Sequence, residues 1–285
     1  GALCCSPAQL PSRGQEMAML IKPAGCAAEF IGMFLFVAFC CGTATGVAGT
    51  SGWVQQVALT FGFSIFVLAS ALGRWGLQCN CAVTFALAIA KLFGIGDMGI
   101  LQAAVNLVFQ VLGSVAGAAL VALIKETDSD RTPDGVPGGG ALGSNMLAAD
   151  IGIGEALAGE ALGTFLLVFM VLQAVVDKTK NVTMPLAIGV AVYLAHSILI
   201  PIDGCSINPT RTIGPALVAT FLLDRVTDEV SDKIWEDMWV FWAGPLCGAL
   251  LAVLAHVAMH KLPGQPDAGE EEGEASLRDD VDKSI

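Results

Sequence analysis

The sequence predicts an all-α membrane protein with six transmembrane helices and two half-helices arranged as an inverted repeat. Three observations carry that expectation. Of the 285 residues, 55% are hydrophobic and only 14% charged, with a mean hydropathy of +0.71; an ordinary soluble domain is about 45–50% apolar and about 25% charged. Six segments each reach the roughly 20 mostly apolar residues that a bilayer crossing needs. The two halves of the chain also match one another. The composition excludes a disordered chain and most soluble enzymes. The net charge of −12 excludes a nucleic-acid partner, because phosphate-binding surfaces need a basic excess.

The elements run as follows. Residues 1–22 are expected to form a cytoplasmic N-terminal tail before the first span, with the start open between Gly1 and Met17. No cleavable signal is readable, since the first apolar segment is too long for one. Spans are expected at about 24–46, 53–73, 98–123, 153–176, 183–201 and 235–259. Two shorter apolar stretches, about 81–92 and 209–222, begin at Asn80 and Asn208. Neither can cross, so each reads as a half-length helix beside non-helical backbone that lines a watery cavity. Residues 263–285 hold eight acidic residues against Arg278 and Lys283, half of the whole net charge, and read as a solvated tail. The membrane region is therefore expected at 23–262, with repeats of about 23–123 and 153–260. The nine cysteines fall in apolar spans or beside polar motifs, and free thiols are expected.

Lysine and arginine counts orient the chain. With the N-terminus inside, nine basic residues lie on the cytoplasmic side and four outside, Arg211 being set aside as a motif residue. Both termini are expected in the cytoplasm, of a plasma membrane or an internal one. Asn181-Val182-Thr183 fits a glycosylation pattern but falls on the inner side, where no acceptor is used. Residues 27–39 (AAEFIGMFLFVAF) align with 158–170 (AGEALGTFLLVFM) at six identities of thirteen, pairing Glu29 with Glu160 and Gly32 with Gly163. Asn80 and Asn208 repeat at nearly the same offset. Three spans per half is an odd number, so the copies must be inverted, and inverted repeats with broken helices mark a transport pathway near the bilayer midplane.

Asn80 and Asn208 can each cap a half-helix while facing a pore. Two half-helices entering from opposite faces put both positive dipole ends at the centre, which repels cations and disfavours proton conduction. Glu29, Glu160, Asn80-Cys81-Ala82 and Gly204-Cys205-Ser206-Ile207-Asn208-Pro209-Thr210-Arg211 together resemble the aquaporin family, over roughly residues 23–262. Cys81 stands where that family usually has proline, Thr210 where it usually has alanine, and Gln78-Cys79 where it usually has histidine and leucine. Proline at the first helical position pre-sets φ and lacks a donor that would be orphaned anyway. On that ground Cys81→Pro is expected to raise stability slightly.

The resemblance implies an outer constriction of four residues: Phe61, His196, Cys205 and Arg211, with Thr60 as the alternative to Phe61. An aromatic ring and a histidine narrow the passage, and arginine supplies donors and a fixed positive charge. Glycerol-conducting relatives usually carry a smaller residue at the histidine position and aspartate after the arginine; here the latter is Thr212. Phe241-Trp242 also looks like the water-selective branch. Cys205 is the thiol expected to confer mercurial block, with Cys79 and Cys81 as further sites. Glu29 and Glu160 resemble the family's buried glutamates, which accept bonds from loop backbone. Gln102, Asn106 and Gln110 form a stripe suited to interhelical hydrogen bonding, and three Gly-xxx-Gly pairs (113/117, 159/163, 244/248) permit close crossings. His256 and His260 suit dipole compensation better than metal binding.

No phosphate-binding loop or nucleophile–base pair points to an enzyme, and neither a cofactor nor a metal is expected. The function implied is a passive water channel in the lipid bilayer that excludes ions and protons. The alternatives are a channel for small neutral solutes (glycerol, ammonia, hydrogen peroxide) and a structural membrane-junction protein with low flux. The family resemblance also implies a homotetramer with a pore in each subunit.

Overall fold

A computed structural model describes residues 21–124, 141–176, 183–223 and 226–261. The expectations for the N-terminal tail up to residue 20, the acidic tail and most of the 181–183 glycosylation pattern lie outside the described residues. By its contacts the chain falls into residues 1–253 and 254–285; the described part of the second unit is the helical end of the last span.

The regular structure of the described residues is all helical, with no strand among them. Helix α1 (Pro23–Val47) opens on proline at its first turn, where a missing N–H costs nothing. It is followed by α2 (Trp53–Leu72) and a short 3₁₀ turn, Gly73–Trp75. The half-helix α3 (Cys81–Lys91) comes next, then α4 (Ile100–Ile124). The second half repeats the order with α5 (Ile153–Val176), α6 (Met184–Asp203) and the half-helix α7 (Pro209–Leu222). It ends in α9 (Val240–Lys261) after an inserted α8 (Asp228–Asp237). Six helices are long and apolar enough to cross a membrane, as the hydropathy predicted. Large apolar side chains stay exposed along them, among them Phe39, Val67, Leu162 and Ile198, as a lipid-facing surface requires.

Helix α8 was not expected. The last span was placed from 235, but the chain first makes a ten-residue amphipathic helix and starts α9 at Val240. Thr227 caps it by accepting the Val230 N–H, and Asp228 and Glu229 sit in its first turn, where negative charge suits the helix dipole. Ile234 is buried, and the Trp235 indole donates to the Thr220 hydroxyl on α7 at 3.2 Å. One buried face on ten residues is too brief a signal to separate from a flanking loop.

Glycines set the close crossings. A Cβ on Gly62 of α2 would lie 2.7 Å from the Gly189 carbonyl of α6, and one on Gly189 would lie 2.6 Å from the Gly62 carbonyl. Gly113 and Gly117 bring α4 equally close to the Phe30 and Phe34 carbonyls of α1; Gly244 and Gly248 do the same for α9 against Glu160 and Ala161 of α5. Without a hydrophobic drive between helices in lipid, such backbone proximity is a main source of packing energy.

Candidate functional site

The site is built from two short loops, each running into a half-helix. Both hold backbone in the left-handed region without glycine: Cys79 at φ 54° just before Asn80, and Ile207 at φ 43° just before Asn208, with Cys205 at φ 56°. That conformation costs an L-residue about 1–2 kcal/mol, so something must hold it. Glu29 of α1 accepts the Gln78 and Cys79 N–H groups, both at 2.8 Å. Glu160 of α5 accepts those of Ser206 and Ile207, both at 2.6 Å. Both carboxylates are fully buried, and each binds the strained N–H of its own half.

The asparagines complete the arrangement. The Asn80 side-chain oxygen accepts from Ala82 N at 2.8 Å and Val83 N at 3.4 Å, while its amide donates to the Ile207 carbonyl at 2.8 Å. The Asn208 oxygen accepts from Arg211 N at 3.2 Å and from the Thr210 hydroxyl at 2.8 Å, and its amide donates to the Cys79 carbonyl at 2.7 Å. Each asparagine therefore caps its own half-helix and ties itself to the other loop. The two N-termini, with their positive dipole ends, meet here. Beside them is a cavity of about 40 Å³ bordered by Asn80, Asn208, Ile207, Phe36, Val192 and His196. At roughly 10–15 Å³ per water molecule, that holds about three or four. A larger cavity of about 840 Å³ opens on the side bearing Lys22, Arg74 and Lys91. Gln78 and Cys79 line both.

Around His196, which borders the smaller cavity, three side chains are grouped. The Phe61 and His196 rings lie 4.0 Å apart at 29°, and the Arg211 guanidinium carbon sits over the Phe61 ring, 5.0 Å from its centroid. Phe36 packs edge-on against Phe61 at 5.4 Å. His196 Nδ1 meets the Val192 carbonyl at 2.9 Å, so it donates, and in the neutral ring Nε2 is left as an acceptor. Neither His196 Nε2 nor Arg211 Nε has a protein partner, although both are buried. Arg211 is fixed by Nη1, which donates to the carbonyl of Gly143 at 2.9 Å and to Asn145. Phe61, not Thr60, faces this group; the Thr60 hydroxyl is turned back onto Gln56 at 2.9 Å. Cys205 is fully buried, and its N–H donates to Asp203 at 2.9 Å.

A buried polar lattice backs the loops. Gln110 of α4 donates to Glu29 at 3.0 Å and to Thr84 of α3 at 2.9 Å, while Asn106 donates to Gln78 at 2.7 Å and accepts from Gln102. The α4 stripe thus bonds to α1, to α3 and to the loop before α3. The Cys81 N–H donates to the Thr210 hydroxyl at 3.2 Å. This reverses the expectation for Cys81→Pro, because proline destabilises where the N–H it removes is already bonded.

The family model described as "MIP: Major intrinsic protein" matches residues 19–256. The chain belongs to this family. Among the relatives it resembles are "Aquaporin PIP1-1" of Oryza sativa subsp. japonica, 34% identical over 88% of this chain and 82% of that protein, and "Aquaporin PIP2-5" of the same plant, 36% identical over 80% of each. "Aquaporin PIP1-1" of Arabidopsis thaliana is 36% identical over 81% of this chain and 77% of its own length. The solved structure titled "X-ray structure of the aquaglyceroporin from Plasmodium falciparum" superposes with a TM-score of 0.67, covering 83% of this chain and 96% of that one. At 18% identity that likeness shows the fold alone. Membership makes this protein a multi-pass membrane channel and not an enzyme.

Several residues of this major intrinsic protein carry the site without having stood out in the sequence. Asn145 accepts from Arg211 and, at 2.8 Å, from Thr212, and donates to the Asp203 carbonyl at 3.2 Å. It sits on a loop whose Ala141, Leu142, Ser144 and Asn145 are all fully buried; the sequence signal is a run of fifteen residues without charge, Gly135–Ala149. Asp203, at the end of α6, is fully buried as well. Of the cysteines singled out, Cys79 lines both cavities, whereas Cys205 lines neither. No group of three or more metal-ligating side chains occurs among the described residues.

Proposed function

We propose that this chain is a passive water channel, with water passing in single file from the larger cavity, past Asn80 and Asn208, to the Phe61–His196–Arg211 constriction. The observation that carries the reading is the asparagine pair beside a cavity sized for a few waters. One N–H of each amide is committed to the opposite loop, and a carboxamide has two. The second N–H of each serves the permeant. Donors at the centre of two converging positive dipole ends orient a water chain outward in both directions, which disfavours proton passage. The buried Arg211 repels cations, and its Nε with His196 Nε2 offers one donor and one acceptor to a passing water.

In this reading the two halves are an inverted repeat, both termini lie in the cytoplasm, and four copies assemble with a pore in each. Residues 23–262 are the channel and 263–285 a solvated tail. Stopped-flow shrinkage of proteoliposomes tests it, with water, glycerol, ammonia and hydrogen peroxide in parallel. Fast, low-activation-energy water flux without glycerol flux is expected. Comparable glycerol flux would move the assignment to a solute channel, and flux no higher than bare lipid would point to a structural role.

A further inference from the structure

We infer that Thr210 is a positioning residue of the pore and that Cys81 is its matched partner, the two together holding the Asn208 carboxamide that the proposed conduction path relies on. The two asparagine caps are asymmetric. The Asn80 oxygen is held by two backbone N–H groups, Ala82 at 2.8 Å and Val83 at 3.4 Å. The Asn208 oxygen receives a single backbone N–H, from Arg211 at 3.2 Å. The Thr210 hydroxyl supplies the second donor, at 2.8 Å. On this half of the molecule a side chain does what backbone does on the other.

That hydroxyl is a node. It accepts from the Cys81 N–H at 3.2 Å, and the Gln110 oxygen lies 3.2 Å away as a second acceptor for its proton. Gln110 in turn donates to Glu29 and Thr84, so the node joins α7 to α3 and to the carboxylate that holds the first loop. The Cys81 N–H engages one lone pair of this hydroxyl, which points the one proton away from Cys81 and toward Asn208 or Gln110. The first N–H of a helix is ordinarily an orphan; here it sets the direction of the second cap.

The geometry also says why residue 81 is not proline when 210 is threonine. A ring carbon would stand about 1.5 Å from the nitrogen, near the N–H direction. With Oγ1 at 3.2 Å from that nitrogen, the carbon would come roughly 2 Å from the oxygen, against an ordinary C···O contact of about 3.3–3.6 Å. Proline at 81 therefore needs a residue without a hydroxyl at 210. The two positions are coupled.

A double-mutant cycle tests this in full-length protein reconstituted in liposomes, reading thermal stability and unitary water permeability for wild type, C81P, T210A and the C81P/T210A double, with T210S alongside. C81P alone is expected to lower Tm by about 3 °C or more, and to leave Tm unchanged or raised when introduced into T210A. T210A is expected to cut unitary permeability about fivefold, which converts to about 1 kcal/mol, the size of one neutral hydrogen bond. T210S, which keeps the hydroxyl, restores it. Equal effects of C81P on Tm in both backgrounds overturn the pairing, and T210S behaving like T210A overturns the role of the hydroxyl. Should C81P fail to insert, the T210A against T210S comparison still decides. If wild type passes no water, the water-channel reading fails, while the Tm cycle judges the Cys81–Thr210 contact independently.

Discussion

Glu160→Gln is the perturbation that most directly tests how the site is held. The Glu160 carboxylate accepts Ser206 N–H and Ile207 N–H, both at 2.6 Å, and Ile207 is a β-branched residue at φ 43°. A hydrogen bond to a charged group contributes about 1.5–3 kcal/mol, a neutral one about 1. Glutamine keeps one acceptor and turns an NH₂ against the other N–H. One buried donor then goes unpaired, which costs about 1–3 kcal/mol, and the left-handed residue, itself about 1–2 kcal/mol uphill, loses its restraint. Removing a buried charge offsets part of this, because a buried carboxylate is expensive to desolvate. A net loss of about 2–3 kcal/mol remains. At about 2–4 °C per kcal/mol for a chain near this size, Tm should fall by roughly 4–12 °C. Unitary water permeability should fall with it, since Ile207 adjoins Asn208 and its carbonyl accepts the Asn80 amide. The assay is differential scanning fluorimetry in detergent beside stopped-flow in liposomes. Unchanged values in both would show that the loop holds its own conformation and that the carboxylate is incidental. Glu29→Gln should behave alike, because Glu29 does the same for Gln78 and Cys79.

Replacing both Phe61 and His196 with glycine or alanine should raise glycerol permeability by roughly tenfold or more, since the stacked rings set the diameter there; unchanged glycerol flux in a folded double variant would refute the placement of the constriction. Cys79→Ser should abolish mercurial inhibition while Cys205→Ser leaves it, because Cys79 alone of the two lines the cavities; the opposite ranking in an inhibition series would return the role to Cys205. The Lys22 ammonium, hydrogen-bonded to Asp97 at 3.0 Å, holds that carboxyl below its usual range. The contribution is therefore present above the unfolded carboxyl's value of about 3.9 and is lost as pH falls through the lower folded one. With both side chains exposed it is worth at most a few tenths of a kcal/mol, and Asp97→Asn should leave Tm at pH 7 within about 1 °C.

How far the site could be read from the residues depended on what kind of signal each part leaves. Spans and half-helices leave runs of apolar residues and cap signatures, so their existence was legible and their ends were off by a residue or two, except that the last span starts five residues later, at Val240. Glu29 and Glu160 were legible because duplication made each a check on the other. Helix α8 was not, since an amphipathic ten-residue stretch beside a span has no length signal of its own. Asn145 was not, because nothing local in a small-residue loop says that it folds back to meet Arg211, 66 positions on.

The Cys81–Thr210 contact was hidden for a different reason. Taken singly, Cys81 reads as a tolerated loss of proline and Thr210 as added bulk at a crowded centre. Their sense lies in a hydrogen bond between residues 129 positions apart, one in each half of the chain. A repeat comparison pairs residue 81 with 209 and residue 82 with 210, so it sets neither departure against the other. The first motif has an N–H donor at residue 81 where a proline would have none. The second places a hydroxyl acceptor 3.2 Å from it. Two departures in different copies of a duplicated motif therefore have to be judged as a pair wherever the copies touch, and the expectation for Cys81→Pro changes sign once they are.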